Sequence, residues 1–359
     1  MQFPFEHRLS SVCKIVESHP VDGILFTSLE TIRYLSGFTG SDAALVVMPK
    51  ESFFLTDSRY WTQADEEVKA SKIVHYKKKL DGVASLLSDV KLHTVGFESS
   101  SLAYSFYRGL SEKTAPAGRL VPLEAELKNL RAVKDACELD LIRKAIDIAS
   151  KSFLHAIQKI RKGIHEGEIA FEMECFMKQH GAERLGFDII AASGKRSALP
   201  HGKAGTKLIE KGDLILIDYG ACFEGYNSDE TRTVILGKPS GEQEKIYRIV
   251  KEAHDRAIEK VRPGIPVREI DFAAREHIRL SGYGGYFGHG TGHGVGLAVH
   301  EDPAVNSENN DLIQEGMVFT VEPGIYVPGF GGVRIEDMVL ATPFGPERLT
   351  YLPTELEEI

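Results

Sequence analysis

Between residues 139 and 341 the sequence lays down one order of elements twice: a pair of helical patterns, then a hairpin. Leu139, Ile142, Ile146, Ala149, Phe153, Ile157 and Ile160 recur at steps of three or four, which marks one apolar face of a long helix ending at Gly163. A second helical pattern covers residues 166–180. Residues 187–192 read as a strand ahead of a loop containing His201. The first hairpin joins residues 213–222 to 226–236 through a turn near 223–225. Two further helical patterns, at about 242–261 and 267–281, precede a second hairpin, 317–327 and 333–341, closed by a PGFGG turn.

The first 125 residues or so read differently, as a compact α/β unit. Short β-branched or aromatic runs at 21–27, 43–48, 52–56, 72–76 and 94–98 are bounded by turn residues, with helical patterns around 60–70 and 101–110. A G-x-G-x-x-G fingerprint is absent, so this is not an obvious dinucleotide domain. A boundary is expected near 120–132, around Pro122, giving domains 1–125 and 126–359. With 42% hydrophobic and 26% charged residues, the 359-residue composition is ordinarily globular. A net charge of −9 argues against a nucleic-acid-binding surface. Cys13, Cys137, Cys175 and Cys222 are scattered without a C-x-x-C pair and read as reduced thiols, not as a disulfide or zinc framework. No run approaches a signal-peptide core or a membrane span, so a cytoplasmic protein is expected.

Both hairpins carry paired acids. Asp218 closes the apolar run LILI and Asp229 lies in the returning strand, with their midpoint in the expected turn. Glu322 follows MVFTV, and Glu322 and Glu336 are likewise disposed about the PGFGG turn. Each pair should therefore sit roughly opposite across its hairpin, with Cβ atoms about 4.5–5.5 Å apart. Taken singly, each acid is most simply a surface strand residue. Taken together, they repel: at roughly 5 Å and an effective dielectric near 20, each pair costs about 3 kcal/mol, and four acids make six pairs. Protons or cations must compensate, and four carboxylates balance two divalent ions.

Residues 289–301, HGTGHGVGLAVHE, offer the complementary nitrogen donors. His289, His293 and His300 stand among Gly290, Gly292, Gly294 and Gly296, which let a backbone pass close to a ligand or metal. On a strand continuing from 293, His300 would face away from His293 unless a bulge intervened. The stretch is thus expected to supply one metal ligand and separate histidines for substrate. A mixed oxygen and nitrogen donor set suits Mn²⁺, Co²⁺, Fe²⁺ or Zn²⁺ better than Mg²⁺ or Ca²⁺.

The ordered set Asp218, Asp229, His293, Glu322, Glu336 resembles the five metal ligands of the pita-bread metallopeptidases. Residues 289–301 match the motif H-G-x-G-H-x-V-G-L-x-V-H-E of their Xaa-Pro branch, which holds aminopeptidase P and prolidase. SGFTGSDAALVV and LTDSRYWTQA resemble landmarks of the creatinase/prolidase N-terminal domain. The resemblance implies an α+β chain, with an α/β N-terminal domain followed by a pita-bread catalytic domain with a curved antiparallel sheet. It also implies dinuclear-metal-dependent hydrolysis of an N-terminal Xaa-Pro bond, on a peptide or dipeptide with proline second. Mn²⁺ is expected first among the metals, and a homodimer with no nucleic-acid or membrane partner.

Position by position, the resemblance makes Asp218, Asp229, His293, Glu322 and Glu336 metal ligands, with Glu322 also the proton acceptor. His201, His289 and His300 would steady the substrate carbonyl, an oxyanion-type role. Arg334, two residues before Glu336, would buttress the metal site; its plainer reading is a strand ion pair with Asp337. Tyr326 matches the family's E-P-G-x-Y tyrosine, though a half-buried strand tyrosine is commonplace. Trp61 or Arg59 would line a partner subunit's site, against the simpler reading of Trp61 as a packing residue. His155, His254 and His277 read as ordinary helix residues. The rivals are a methionine-aminopeptidase-like enzyme on the same fold, or a non-catalytic binding protein built on it.

Overall fold

The computed structural model describes residues 3–114 and 118–359. Two compact units, Met1–Arg131 and Ala132–Ile359, divide the chain.

In the first unit six strands form one sheet, in the order Lys72–His75, Ser52–Thr56, Ala44–Val47, Gly23–Phe26, Thr94–Phe97, Arg119–Pro122. Gly23–Phe26 and Ala44–Val47 are buried throughout, as central strands covered on both faces must be. The edge strand Arg119–Pro122 carries no clear strand signal in the sequence, because its end residues are exposed and it closes on proline. The helices Phe5–Ser18, Leu29–Ser36 and Lys79–Asp89 were likewise not foreseen. Trp61 stacks on His75 with ring centroids 4.4 Å apart, and Arg59 is held by Asp57 and Asp42.

The second unit realises the repeated order of elements. Helix Ala136–Ile157 begins at a capping box: Asp135 Oδ1 accepts from the Cys137 and Glu138 amides, and Glu138 Oε2 accepts from the Asp135 amide. With helix Glu166–Gln179 it covers the first hairpin, where Ala149, Phe153, Ile157, Ile169 and Met173 pack with Ile215, Ile217 and Tyr219. Helices Gly241–Glu259 and Arg268–Leu280 do the same for the second, through Ile246, Val250, Ile270 and Ile278 against Phe319, Val321, Val333 and Ile335. Side chains alternate across a strand. Asp218 therefore faces away from the helices that cover Ile217 and Tyr219, as Thr320 does beside Phe319 and Val321.

Both hairpins are interrupted. The first runs Leu214–Tyr219, Ala221–Phe223, Tyr226–Asn227, Glu230–Ile235, and the second Val318–Val321, Gly324–Val327, Gly331–Arg334, Asp337–Thr342. In the first, the turn centres on Glu224 and Gly225, both at positive φ, with Phe223 paired to Tyr226. That centre lies one residue beyond the expected one, so every partner moves by two. Asp218 stands opposite Thr231, not Asp229. A two-residue offset preserves the face, so Asp229 remains on the same side. In the second hairpin the pairings Val321 with Asp337 and Gly324 with Arg334 bracket Glu322 and Glu336 in one common register. A bridge from Thr231 to Glu336 joins the two hairpins.

Candidate metal centre

Thr231 is where the hairpins meet. Its hydroxyl donates to Glu336 Oε2 at 2.5 Å and accepts from Arg334 Nε at 3.0 Å. Thr320 does similar work for two other candidate ligands, donating to Glu322 Oε1 at 3.3 Å while its oxygen accepts the His293 amide at 3.1 Å. Neither threonine was singled out from sequence, yet each is two residues from a candidate ligand, Asp229 or Glu322, and so on its face of the strand. That spacing was the available signal.

Asp229, His293 and Glu336 each bring a ligand atom within 4.8 Å of the others. His293 Nδ1 is 3.0 Å from the Gly294 carbonyl, which can only accept, so that nitrogen carries the proton. Its bare Nε2 then points at carboxylate oxygens of Asp229 and Glu322, both 3.5 Å away. A lone pair aimed at two carboxylates is unfavourable until a proton or cation lies between them. Asp218 stands on strand Leu214–Tyr219: Oδ2 accepts from Arg334 Nη2 at 2.5 Å, while buried Oδ1 has no protein hydrogen bond.

The acids are crowded enough to hold protons. Burial, then the charges of Glu336, Asp218 and Glu322, drives the Asp229 carboxyl well above its ordinary range. Burial, then Glu322 and Asp218, does the same for Glu336. Burial pushes Glu322 up to about 7 against the opposing pull of Arg334. Burial holds His293 below the usual imidazole value, hence neutral and able to ligate. An orphaned carboxylate oxygen, a bare imidazole nitrogen and acids that resist ionising are what a cation-binding donor set presents.

The histidine stretch meets the exception its sequence allowed, a break in strand register. Its first strand is only Gly292–Gly294; the chain then bends through 296–300, and Glu301–Val305 returns antiparallel beside it. His300 is thereby brought back against His293, ring centroids 4.0 Å apart, and does not face away. The glycines admit neighbouring strands: a Cβ on Gly292 would lie 1.9 Å from the Thr320 carbonyl oxygen. His300 and His201 are solvent-exposed, His201 in the loop after Leu199. His289, expected on the substrate side, has both ring nitrogens engaged, Nδ1 with the Gly290 carbonyl and Nε2 with the Tyr326 hydroxyl at 2.9 Å. Burial and the Arg334 charge bring its pKa down to about 4.

Arg334 does not pair with Asp337. Besides Asp218 and Thr231 it donates to the Tyr326 hydroxyl at 2.9 Å and the Pro200 carbonyl at 3.1 Å, tying the His201 loop to the acids. Tyr326, weighed as commonplace packing, passes this contact on to His289. Asp337 belongs to a separate buried cluster on the far face of the strand. There Arg232 reaches Asp337 Oδ1 at 2.7 Å and the main-chain carbonyl of Glu336 at 2.6 Å. His254, read as an ordinary helix residue, lies fully buried in that cluster with Nε2 3.1 Å from Asp337.

Residues 140–343 match the profile of metallopeptidase family M24, and residues 8–133 that of the creatinase/prolidase N-terminal domain. The chain is 41% identical to the Xaa-Pro dipeptidase of Pyrococcus furiosus, over 98% of this chain and 99% of that one. A solved Xaa-Pro dipeptidase from Bacillus anthracis superposes with a TM-score of 0.95 at 39% identity, covering 99% and 100% of the two chains. An X-Pro aminopeptidase from Thermotoga maritima gives 0.89 at 39% identity, covering 98% and 99%. The architecture of these proteins, an α/β N-terminal unit followed by a pita-bread unit, is that of this chain.

Proposed function

The chain belongs to metallopeptidase family M24, and from that premise we propose that it hydrolyses the bond before proline in Xaa-Pro dipeptides. Two divalent cations would be held by Asp218, Asp229, His293, Glu322 and Glu336. The observation that carries this reading is the bare His293 Nε2 aimed at two carboxylates within a cluster of buried acids. Bound there, a cation pair supplies a water ionising near neutral pH and a polarised substrate carbonyl.

The chain's own groups do the remainder. Glu322 receives the proton released by the attacking water. Exposed His300 and His201 steady the carbonyl oxygen preceding proline. Arg334 fixes the orientation of Asp218, and through Tyr326 that of His289, so His289 acts by holding its neighbours in place. Proline has no N–H for an ordinary peptidase cleft to bind, which gives a dedicated enzyme its purpose. Mn²⁺ as the working metal, a homodimer in which Trp61 or Arg59 lines the partner's site, and a cytoplasmic setting belong to the same reading. The four free cysteines support the last. Among the described residues no helix is long and apolar enough to cross a membrane.

The likeness to dipeptidases over the whole chain favours a dipeptide substrate, and the Thermotoga likeness supports the longer-peptide alternative. A side-by-side assay of Ala-Pro and Ala-Pro-Ala with Mn²⁺, Co²⁺, Fe²⁺ or Zn²⁺ separates them. Ala-Pro should be cut, chelator should abolish the activity, and Mn²⁺ or Co²⁺ should restore it. Full activity in exhaustively demetallated protein would overturn the proposal, and a strong preference for Ala-Pro-Ala would overturn its dipeptide part.

A further inference from the structure

A buried ion pair lies beside the bend that carries His300. Lys134 Nζ donates to Glu301 Oε1 at 2.7 Å, with the two side chains 0% and 5% exposed. Lys134 is fixed by its own backbone, whose amide donates to the Gly316 carbonyl at 2.8 Å, and by the bridge between Val133 and Met317. Met317 leads directly into the strand that ends before Glu322. Lys134 falls between the two matched family segments, 8–133 and 140–343.

Glu301 follows His300 directly and opens the returning strand. Its carboxylate lies against the 296–300 bend. The Ala298 amide points at Oε2 from 3.4 Å, and a Cβ on Gly296 would fall 2.4 Å from Oε1, so only glycine leaves room for this support. The bend is also held by Asn227, whose amide and Nδ2 donate to the Gly296 carbonyl at 2.8 and 2.9 Å. A buried ion pair is weak evidence for stability alone, because desolvation offsets much of the attraction. This one connects the lead-in to one candidate ligand with the loop that follows another.

We propose that Lys134 is a positioning residue: through Glu301 it fixes the 296–300 bend and so holds His300 against His293. The catalytic consequence rests on the peptidase reading above; the positioning itself does not. The test uses full-length protein: wild type, the neutral pair Lys134→Met with Glu301→Gln, the charge-keeping Lys134→Arg, and His300→Ala alone and combined with the neutral pair. Hydrogen exchange without substrate should be at least about 10-fold faster at amides 295–300 in the neutral pair, with the Leu214–Tyr219 strand unchanged. On Ala-Pro with Mn²⁺, kcat should fall about 10²-fold with little change in KM, as for a misplaced group. Lys134→Arg should recover most of that loss. In the His300→Ala background the neutral pair should add less than about 2-fold.

Unchanged exchange in the folded neutral pair, or a full second loss on top of His300→Ala, would overturn the proposal. Should the neutral pair fail to fold, Glu301→Asp, which keeps the charge but shortens the reach, is read by the same two measurements. Should wild type not cleave Ala-Pro, the substrate reading falls while the exchange measurement still decides the positioning role.

Discussion

Stripped of cations, the protein should lose stability as pH rises, and Glu322 sets the window. Its carboxyl is pushed from 4.5 to about 7 in the folded protein, chiefly by burial. Folded protein therefore binds that proton more tightly than unfolded protein, and protonation favours folding. The contribution is fully present below about 4.5 and is lost as pH rises through about 7, the reverse of the usual salt-bridged carboxylate. The difference between 4.5 and about 7 corresponds to about 3 kcal/mol. For a unit of this size that is a fall in Tm of about 6–12 °C. Asp229 and Glu336, raised for the same reason, act in the same direction. Glu322→Gln cannot ionise, so the difference between wild type and this variant isolates the group. Circular-dichroism melts in chelator, from about pH 5 to about pH 8, should show wild type falling relative to Glu322→Gln. Saturating Mn²⁺ should remove the wild-type slope, since the cations take over from the proton. Parallel pH profiles for the two proteins in chelator, or a wild type that gains on the variant, would refute the reasoning.

Other perturbations follow from single contacts. Tyr326→Phe keeps the ring but deletes the hydroxyl between Arg334 and His289; the buried groups left unpaired should cost about 1–3 kcal/mol in melts. The same variant should lower kcat on Ala-Pro about 10-fold, through a disturbed Asp218 and His289. Gly292→Ala sets a Cβ against the Thr320 carbonyl within a strand that cannot yield cheaply, at about 1–3 kcal/mol. Calorimetric titration should show this variant binding Mn²⁺ more weakly, because His293 moves with the strand. Ser240→Ala removes the capping box of helix Gly241–Glu259 and should cost about 1 kcal/mol, read as a small fall in Tm.

The helices of the second unit and both its hairpins were legible because amphipathic period and turn residues are local signals. What the sequence could not display was set by longer-range choices. The first turn formed one residue later than its composition suggested, which moved Asp229 from beside Asp218 to a diagonal position without changing its face. The Gly292–Gly294 strand ended early because close approach to Thr320 and Asp302, not strand propensity, governs those glycines. The five candidate ligands were readable from type and order. Thr231 and Thr320 show only as a two-residue spacing from Asp229 and Glu322, and Lys134 not at all, since its partner lies 167 residues distant. Arg334 was identified, but its alternative partner, Asp337, proved to serve Arg232 on the opposite face.

The interruptions in the hairpins have a further consequence. Asp229, Glu322 and Glu336 each occupy a two-residue gap between strands, so the regular ladders on either side do not include them. The scaffold and these three acids are therefore separable. Replacing a gap carboxylate with its amide removes a buried group that ionises only at a cost, while leaving the ladders intact. Without metal, such a chain should be the more stable one. A fold organised this way can outlast its own chemistry: the three gap acids can be lost one by one, while Asp218 stays within its strand.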